Sequence, residues 1–259
     1  MKQWLVLFQK EQVELWRNYK WIWVPVVFLL LGSSTPLSTY FMPQILEDFG
    51  GLPEGAVIDI PTPTGTEVLA QTLSDFGLLG VLVLTLALMG IVSAERRSGV
   101  AAIILLKPVP YFSYLTAKWA AITCFSWVSL GLGYGLAMYY TNLLFDAVSL
   151  ERWFSSFLHF GLWLTFVMTI VLFYSTILKQ TGAAAFCALA TILLISLLSS
   201  SFPAWFSWSP PQLANHATLV LLEGEGLADY TLVLLSTLFG IIGLQLGAIA
   251  IFTNKELVD

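Results

Sequence analysis

The chain has 259 residues, of which 58% are hydrophobic and 10% are charged, and its mean hydropathy is +0.83. Soluble domains carry charge on about a quarter of their residues, so this composition excludes a water-soluble fold. A net charge of −5, with no basic cluster larger than Arg96-Arg97, also excludes a protein that binds nucleic acid.

The first eighteen residues predict an amphipathic elbow helix, over 1–18, that lies in the membrane interface. At about 100° per residue, the large apolar side chains share roughly a third of the helix circumference and the charged ones lie outside it. The apolar set is Trp4, Leu5, Phe8, Leu15 and Trp16, and the charged set is Lys10, Glu11, Glu14 and Arg17. The alternative is a frayed tail at the membrane surface.

Six stretches of 19 to 43 residues without Asp, Glu, Lys or Arg follow this segment. Because a bilayer core about 30 Å thick needs about 20 helical residues, each stretch holds one membrane span. We therefore predict an all-α membrane protein, with residues 1–259 forming a single transmembrane domain of six helices. The predicted spans are 21–41, 76–94, 119–140, 153–178, 182–201 and 230–252.

Two connections on the same side of the membrane have distinctive compositions. Residues 42–74 contain four prolines and five acids but no base, which predicts an outer loop with little regular structure. Residues 202–229 begin with mixed aromatics and prolines, and continue with about ten mainly apolar residues, 213–222. Ten residues are too few to cross a bilayer, so we predict an outer re-entrant or interfacial segment before the last span.

The basic residues predict the orientation of the chain. Ten of the eleven Lys and Arg residues fall on the side of the N-terminus, and Arg152 falls on the other. The positive-inside rule makes the basic side cytoplasmic. We therefore expect a multi-pass protein of the cell membrane with both termini in the cytoplasm.

The sequence lacks three common motifs of metal, hydrolase and nucleotide sites. His159 and His216 have no metal-ligand partners at H-E-x-x-H spacing, and there is neither a G-x-S-x-G elbow nor a phosphate-binding P-loop. We therefore expect no enzyme activity, no metal and no cofactor in this chain. The predicted spans also lack a charge near mid-membrane. Their neutral polar side chains bond to their own helices or line a pathway, for which the candidates are Thr85, Thr165, Thr169, Thr191 and Ser196.

The connection after the second predicted span carries a spaced motif, which consists of Glu95, Arg96, Gly99, Pro108, Val109 and Lys118. It resembles the permease subunits of ABC-2 type (type V) ABC exporters. Their pattern is Glu-Arg, a Gly four positions after the Glu, an aliphatic helix, Pro-Val, and a Lys ten positions after that Pro. The chain departs from the family at Val100, commonly Thr, and at Ala102, often acidic. These subunits also resemble the whole chain in their elbow helix, six spans and re-entrant outer helices.

The resemblance implies that this chain is the permease of an ATP-driven exporter. The cytoplasmic coupling segment, residues 95–118, would contact a separate ABC ATP-binding subunit that holds ATP and Mg²⁺, through Glu95, Arg96, Arg97, Gly99, Pro108 and Val109. A second permease chain, identical or different, would complete the pathway in the lipid bilayer. A short segment broken by Gly99 and stopped by Pro108 also suits docking and rigid-body coupling.

Two other interpretations stay open. The basic pair Arg96-Arg97 also satisfies the positive-inside rule, and Pro108 also ends a helix, without any partner. The same six-span frame also suits a membrane interaction or assembly protein without transport activity.

Overall fold

The computed structural model describes residues 2–49, 62–100, 110–226 and 229–254. Within these ranges the regular structure is helical, with no strand. Six helices of the described ranges are long and apolar enough to cross a membrane. The prediction of an all-α membrane protein is confirmed.

The helices of the described residues follow one another in a simple order. They are α1 (Lys2–Arg17), α2 (Lys20–Phe49), α3 (Gly65–Asp75), α4 (Val81–Leu88), α5 (Ser93–Arg97), α6 (Tyr111–Leu144), α7 (Leu150–Ile177), α8 (Thr181–Ser201), α9 (Pro203–Phe206), α10 (Gln212–Leu222) and α11 (Tyr230–Asn254). A π-helical turn, Phe76–Gly80, joins α3 to α4. The six spans are α2, then α3 to α5 together, then α6, α7, α8 and α11.

Helix α7 forms the centre of the bundle. In its most apolar stretch 72% of the residues are buried, against 22% in the corresponding stretches of α8 and α11. It packs against α6, α8, α10 and α11. Large apolar side chains of α8 and α11, such as Phe186 and Phe239, remain exposed on the outside of the bundle.

Helices α2 and α6 cross with their backbones in contact. A Cβ atom added to Gly133 would lie 2.5 Å from the carbonyl oxygen of Phe28, and one added to Gly32 would lie 2.1 Å from the carbonyl oxygen of Gly133. Real Cβ atoms do not approach so closely, so this crossing requires glycine at both positions.

The prediction of an irregular loop over 42–74 is wrong at both ends. Helix α2 continues through Pro43 to Phe49, and α3 begins at Gly65. Thr64 and Glu67 form a capping box, because the Glu67 amide donates to the Thr64 hydroxyl while the Thr64 amide donates to the Glu67 carboxylate at 2.7 Å. This reciprocal cap starts the helix eleven residues before Phe76, where the charge-free stretch and the predicted span begin. Residues 50–61 lie outside the described residues.

The third span also begins earlier than predicted. Helix α6 starts at Tyr111, directly after Pro110, so residues 111–118 belong to the helix and not to the coupling segment. Lys118 was placed at the end of the coupling segment but lies two turns inside the helix. The charge did not mark a boundary because Lys118 is paired inside the protein, as described below.

Helix α1 faces the bundle differently from the prediction. Glu11 and Leu15 are buried against the chain, whereas Leu5, Val13 and Trp16 are more than half exposed. The inward stripe includes positions 4, 8, 11 and 15, which follow the i, i+4, i+7 spacing of one helix face. The prediction placed Glu11 outside the apolar third of the helix circumference, whereas the structure places it within the inward stripe.

Candidate functional site

A buried charge cluster joins α1, α5 and α6 at one end of the bundle. We call this end, where α7 and α11 also finish, the basic end. The cluster consists of Lys10, Glu11, Glu14, Glu95 and Lys118. Lys118 is 1% exposed, Glu11 2% and Glu95 6%. Three helices that are far apart in sequence therefore meet through ionised side chains that water scarcely reaches.

Lys118 connects the two buried carboxylates. Its Nζ atom lies 2.8 Å from Glu11 Oε1 and 2.9 Å from Glu95 Oε2. It also lies 5.1 Å from the ring centroid of Tyr114, one turn earlier in α6, whose hydroxyl donates to Glu95. Removing one partner of such a buried pair leaves an uncompensated charge, which typically costs about 3–5 kcal/mol. The cluster therefore fixes how α1 and α5 sit on α6.

Lys10 closes the cluster on its more exposed side. Its ammonium lies 3.0 Å from Glu11 Oε1 and 2.7 Å from Glu14 Oε2, and it also pairs with Glu95. Partial burial opposes protonation of this lysine, but the charge of Glu11 and the hydrogen bonds to Glu14 and Glu95 outweigh it. The pKa of Lys10 is therefore raised above its ordinary value.

The three carboxylates of the cluster are close enough together to bind a metal ion, but lysine side chains already neutralise most of their negative charge. Oxygen atoms of Glu11, Glu14 and Glu95 all lie within 4.8 Å of one another. The ammonium groups of Lys10 and Lys118 already lie between these oxygens and neutralise most of their charge. The arrangement therefore favours an ion-pair network over a bound cation.

Arg96 fixes the opposite side of α5. Its Nη1 atom donates to the carbonyl oxygen of Thr176 at 2.6 Å, in the last turn of α7, where carbonyl groups lack partners within the helix. Its guanidinium group also lies 5.9 Å from the ring centroid of Phe252 in α11. Phe252 in turn stacks on Tyr114 at 5.6 Å. Between them, Glu95 and Arg96 connect α5 to four other helices.

The predicted coupling residues divide into an inward and an outward group. Glu95 is buried and Arg96 is partly buried, and both are bonded within the chain. Arg97 and Ser98 are exposed, and Gly99 ends the helix with a positive φ of 75°, a conformation that glycine adopts without strain. Pro108 and Val109 lie outside the described residues. The contact of the coupling residues with a partner subunit stays a prediction.

The five hydroxyl residues proposed for a pathway lie on three helices. Thr165 and Thr169 of α7 donate to carbonyl oxygens of their own helix, and they accept the indole N–H groups of Trp127 and Trp119 at 2.9 Å. These two hydroxyls therefore hold α6 against α7.

The other three lie elsewhere. Thr191 of α8 is paired with the hydroxyl of Tyr174 at 2.8 Å. Thr85 of α4 is fully buried, and Ser196 of α8 is partly buried. That these five residues line a pathway stays a prediction.

Lys10, Glu11, Tyr114 and Lys118 were not predicted as a site. Two signals in the sequence could have found them. Glu11 occupies the apolar stripe of α1, between Phe8 and Leu15, and Tyr114 and Lys118 are four residues apart on one face of α6. Charged side chains are almost never fully buried unless they are paired, so an acid within an apolar stripe and a base within an apolar helix indicate an ion pair.

The comparisons with known proteins give one relative and no family model. The chain is 38% identical over 225 residues to YxlG of Bacillus subtilis (strain 168), an uncharacterized transmembrane protein, and the match covers 87% of each protein. No protein-family model matches the chain. The chain belongs to the YxlG family. Together with the six apolar helices, this relationship shows that it is a multi-pass protein embedded in a membrane.

Proposed function

We propose that this chain is the membrane-spanning permease subunit of an ATP-driven ABC exporter. ATP and Mg²⁺ bind to a separate ATP-binding subunit, and the chain itself has no catalytic residues. Two permease chains, identical or different, pair in the cell membrane to enclose the pathway, with both termini in the cytoplasm. The basis of the proposal is the ABC-2 motif at Glu95 to Pro108 together with the geometry of α5.

The observation that carries the proposal is the double attachment of α5. A partner that pushes on an exposed segment moves the transmembrane helices only if that segment is fixed to them. Glu95 connects α5 to α1 and α6, and Arg96 connects it to α7 and α11. Arg97 and Ser98 point outward immediately after these anchors. This combination of an anchored helix and an exposed end is what a coupling element needs.

The geometry also changes which residues contact the partner in this proposal. Glu95 and Arg96 act as internal anchors, and Arg97 with the exposed residues that follow it forms the docking surface. Reversing Glu95 and Arg96 would then disturb the bundle itself and would not report on docking. Arg97 is the informative position.

The test is purification of the tagged chain in a mild detergent from its own organism. We expect a soluble subunit with a Walker A motif to co-purify and the complex to hydrolyse ATP. Arg97→Glu should weaken this association, whereas Arg17→Glu, an exposed arginine on α1 at the same end, should not. Purified chain without an ATP-binding subunit, in a detergent that preserves its fold, would overturn the proposal and favour a membrane interaction or assembly protein.

A further inference from the structure

The second span is interrupted between α4 and α5. Helix α4 ends at Leu88 and α5 begins at Ser93, with Met89–Val92 forming a turn between them. In a continuous helix the amide of Ser93 would donate to the carbonyl oxygen of Met89. Here that bond is replaced, because both groups bond to the same side chain from another span.

The hydroxyl of Ser175, in α7, fills the gap. It donates to the carbonyl oxygen of Met89 at 2.8 Å and accepts the amides of Val92 and Ser93, each at 3.1 Å. A serine hydroxyl has one donor and two acceptor positions, which these three bonds occupy, and the Ser93 hydroxyl lies farther away at 3.4 Å. Ser175 is fully buried, and water cannot replace the bonds.

The neighbouring residue of α7 holds the other end of α5. Ser175 bonds the amides at the start of α5, and the carbonyl oxygen of Thr176 accepts the guanidinium group of Arg96 near its end. Consecutive residues of the most buried span thus hold both ends of a helix of five residues. Alone, so short a helix would be unstable.

We infer that Ser175 is a positioning residue that makes α5 and the end of α7 one mechanical unit. Because the second span is broken just before α5, the Ser175 hydroxyl, together with the bond from Arg96 to Thr176, carries movement of α5 to α7. The existence of this unit is inferred from the contacts of Ser175 and Thr176 with α5. The statement that it transmits the action of an ATP-binding subunit rests on the proposed function.

The first test measures the unit without any partner. Ser175→Ala removes the partner of the Val92 and Ser93 amides, while the Met89 carbonyl oxygen keeps the Ser93 hydroxyl at 3.3 Å. We expect hydrogen exchange at Val92 and Ser93 to accelerate at least about tenfold in the purified protein, since losing such buried bonds costs over a kcal/mol. The matched control is Thr176→Val, because the Thr176 hydroxyl is equally buried but bonds only to Leu172 of its own helix.

The outcomes separate the inference from a general loss of stability. The inference is supported if Ser175→Ala accelerates exchange only in the Met89–Arg97 region. Thr176→Val should cause no such acceleration, and Ser175→Thr, which keeps a hydroxyl, should exchange like the original protein. Equal exchange in Ser175→Ala and Thr176→Val, or acceleration spread over every span, overturns the inference. If Ser175→Ala does not fold, Ser175→Cys replaces it, and the weaker hydrogen bonds of the thiol should give a smaller acceleration at the same two amides.

The second test measures transmission in the complete complex. Ser175→Ala should retain the ATP-binding subunit, since the exposed end of α5 is unchanged, but should reduce the coupling between cargo and ATP hydrolysis, with the bond from Arg96 to Thr176 preserving part of it. Ser175→Thr should restore it. A complex with normal coupling and accelerated exchange would overturn transmission through Ser175. The absence of any ATP-binding subunit would contradict the proposed function alone, because the exchange experiment needs no partner.

Discussion

The two ends of the bundle hold their helices together by different chemistry. At the basic end, ionised groups from α1, α5 and α6 pair with one another in a buried cluster. At the opposite end, rings from α7, α10 and α11 pack together: His216 lies 4.3 Å from His159 and 4.5 Å from Tyr230 between ring centroids. Ion pairs of buried groups demand one geometry, whereas stacked neutral rings tolerate small displacements.

This difference shows where the bundle is fixed and where it can adjust. Moving α5 away from α6 would separate Glu95 from Lys118 in a region that water does not reach, and that carries a large cost. Moving α10 against α7 changes ring contacts worth about 0.5–1.5 kcal/mol each. We therefore expect the basic end to move as one block and the opposite end to accommodate the change.

The largest expected effect comes from breaking the charge cluster. Lys118→Ala leaves Glu11 and Glu95 buried near each other with less compensation, and it should destabilise the protein by about 3–5 kcal/mol. The measurement is the midpoint of thermal unfolding in detergent. Arg17→Ala, which removes an exposed cation from the same end, should change stability by less than about 0.5 kcal/mol. Equal shifts for both variants would contradict a buried network.

The backbone crossing of α2 and α6 should give the next largest effect. A methyl group at Gly133 would meet the Phe28 carbonyl oxygen at 2.5 Å, so Gly133→Ala should force the helices apart at a cost of about 1–3 kcal/mol. Gly135→Ala is the matched control, because no atom lies within 4 Å of its added Cβ. The same unfolding midpoint should fall for the first variant only. A neutral Gly133→Ala would show that the crossing is looser than described.

Acid should weaken the opposite end to a smaller extent. Burial and the facing His159 lower the pKa of His216 to about 4, below its ordinary value near 6.5. Between these values the unfolded chain binds a proton that the folded protein does not. Stability should therefore fall as the pH decreases from about 6.5 to about 4, and this contribution should level off below that.

The control for this pH dependence is His216→Phe, which keeps an aromatic ring beside Tyr230 but cannot be protonated. The difference in unfolding midpoint between the two proteins should change with pH over that interval, and titration of groups remote from His216 cancels in the difference. A difference that stays constant from pH 7 to pH 4 would show that His216 is not held neutral.

Apolar length and charge were sufficient to predict six spans, because an unpaired charge near the centre of a bilayer carries a large cost. The same reasoning misplaced the boundaries wherever a charge had a partner. Lys118 lies inside α6 because Glu11 and Glu95 compensate it, and Glu11 lies on the inward face of α1 for the same reason. Pairing between residues 107 positions apart leaves no signal in composition or in the length of charge-free stretches, and only the position of Glu11 within an apolar stripe indicates it.

The motif at the end of the second span was also only partly informative. Its spacing drew attention to α5, and the structure shows that Glu95 and Arg96 of this short helix contact four other helices. It did not reveal that Glu95 and Arg96 face inward, since a helix of five residues has no periodic pattern from which to choose a face. Ser175 carries no signal at all, because a serine in an apolar span ordinarily bonds to its own helix.

The last prediction assigns the two ends to the two sides of the membrane without perturbing the fold. Ser98 at the basic end and Glu223 at the opposite end are both exposed, so a cysteine at either position should be tolerated. The native Cys124 and Cys187 are first replaced by alanine, because both are free and Cys124 is exposed. On intact cells an impermeant thiol reagent should label Glu223→Cys and not Ser98→Cys, since the positive-inside rule makes the basic end cytoplasmic. Opening the cells should make Ser98→Cys reactive. Labelling of Ser98→Cys from outside would invert the orientation, and an ATP-binding subunit could then not reach the exposed end of α5.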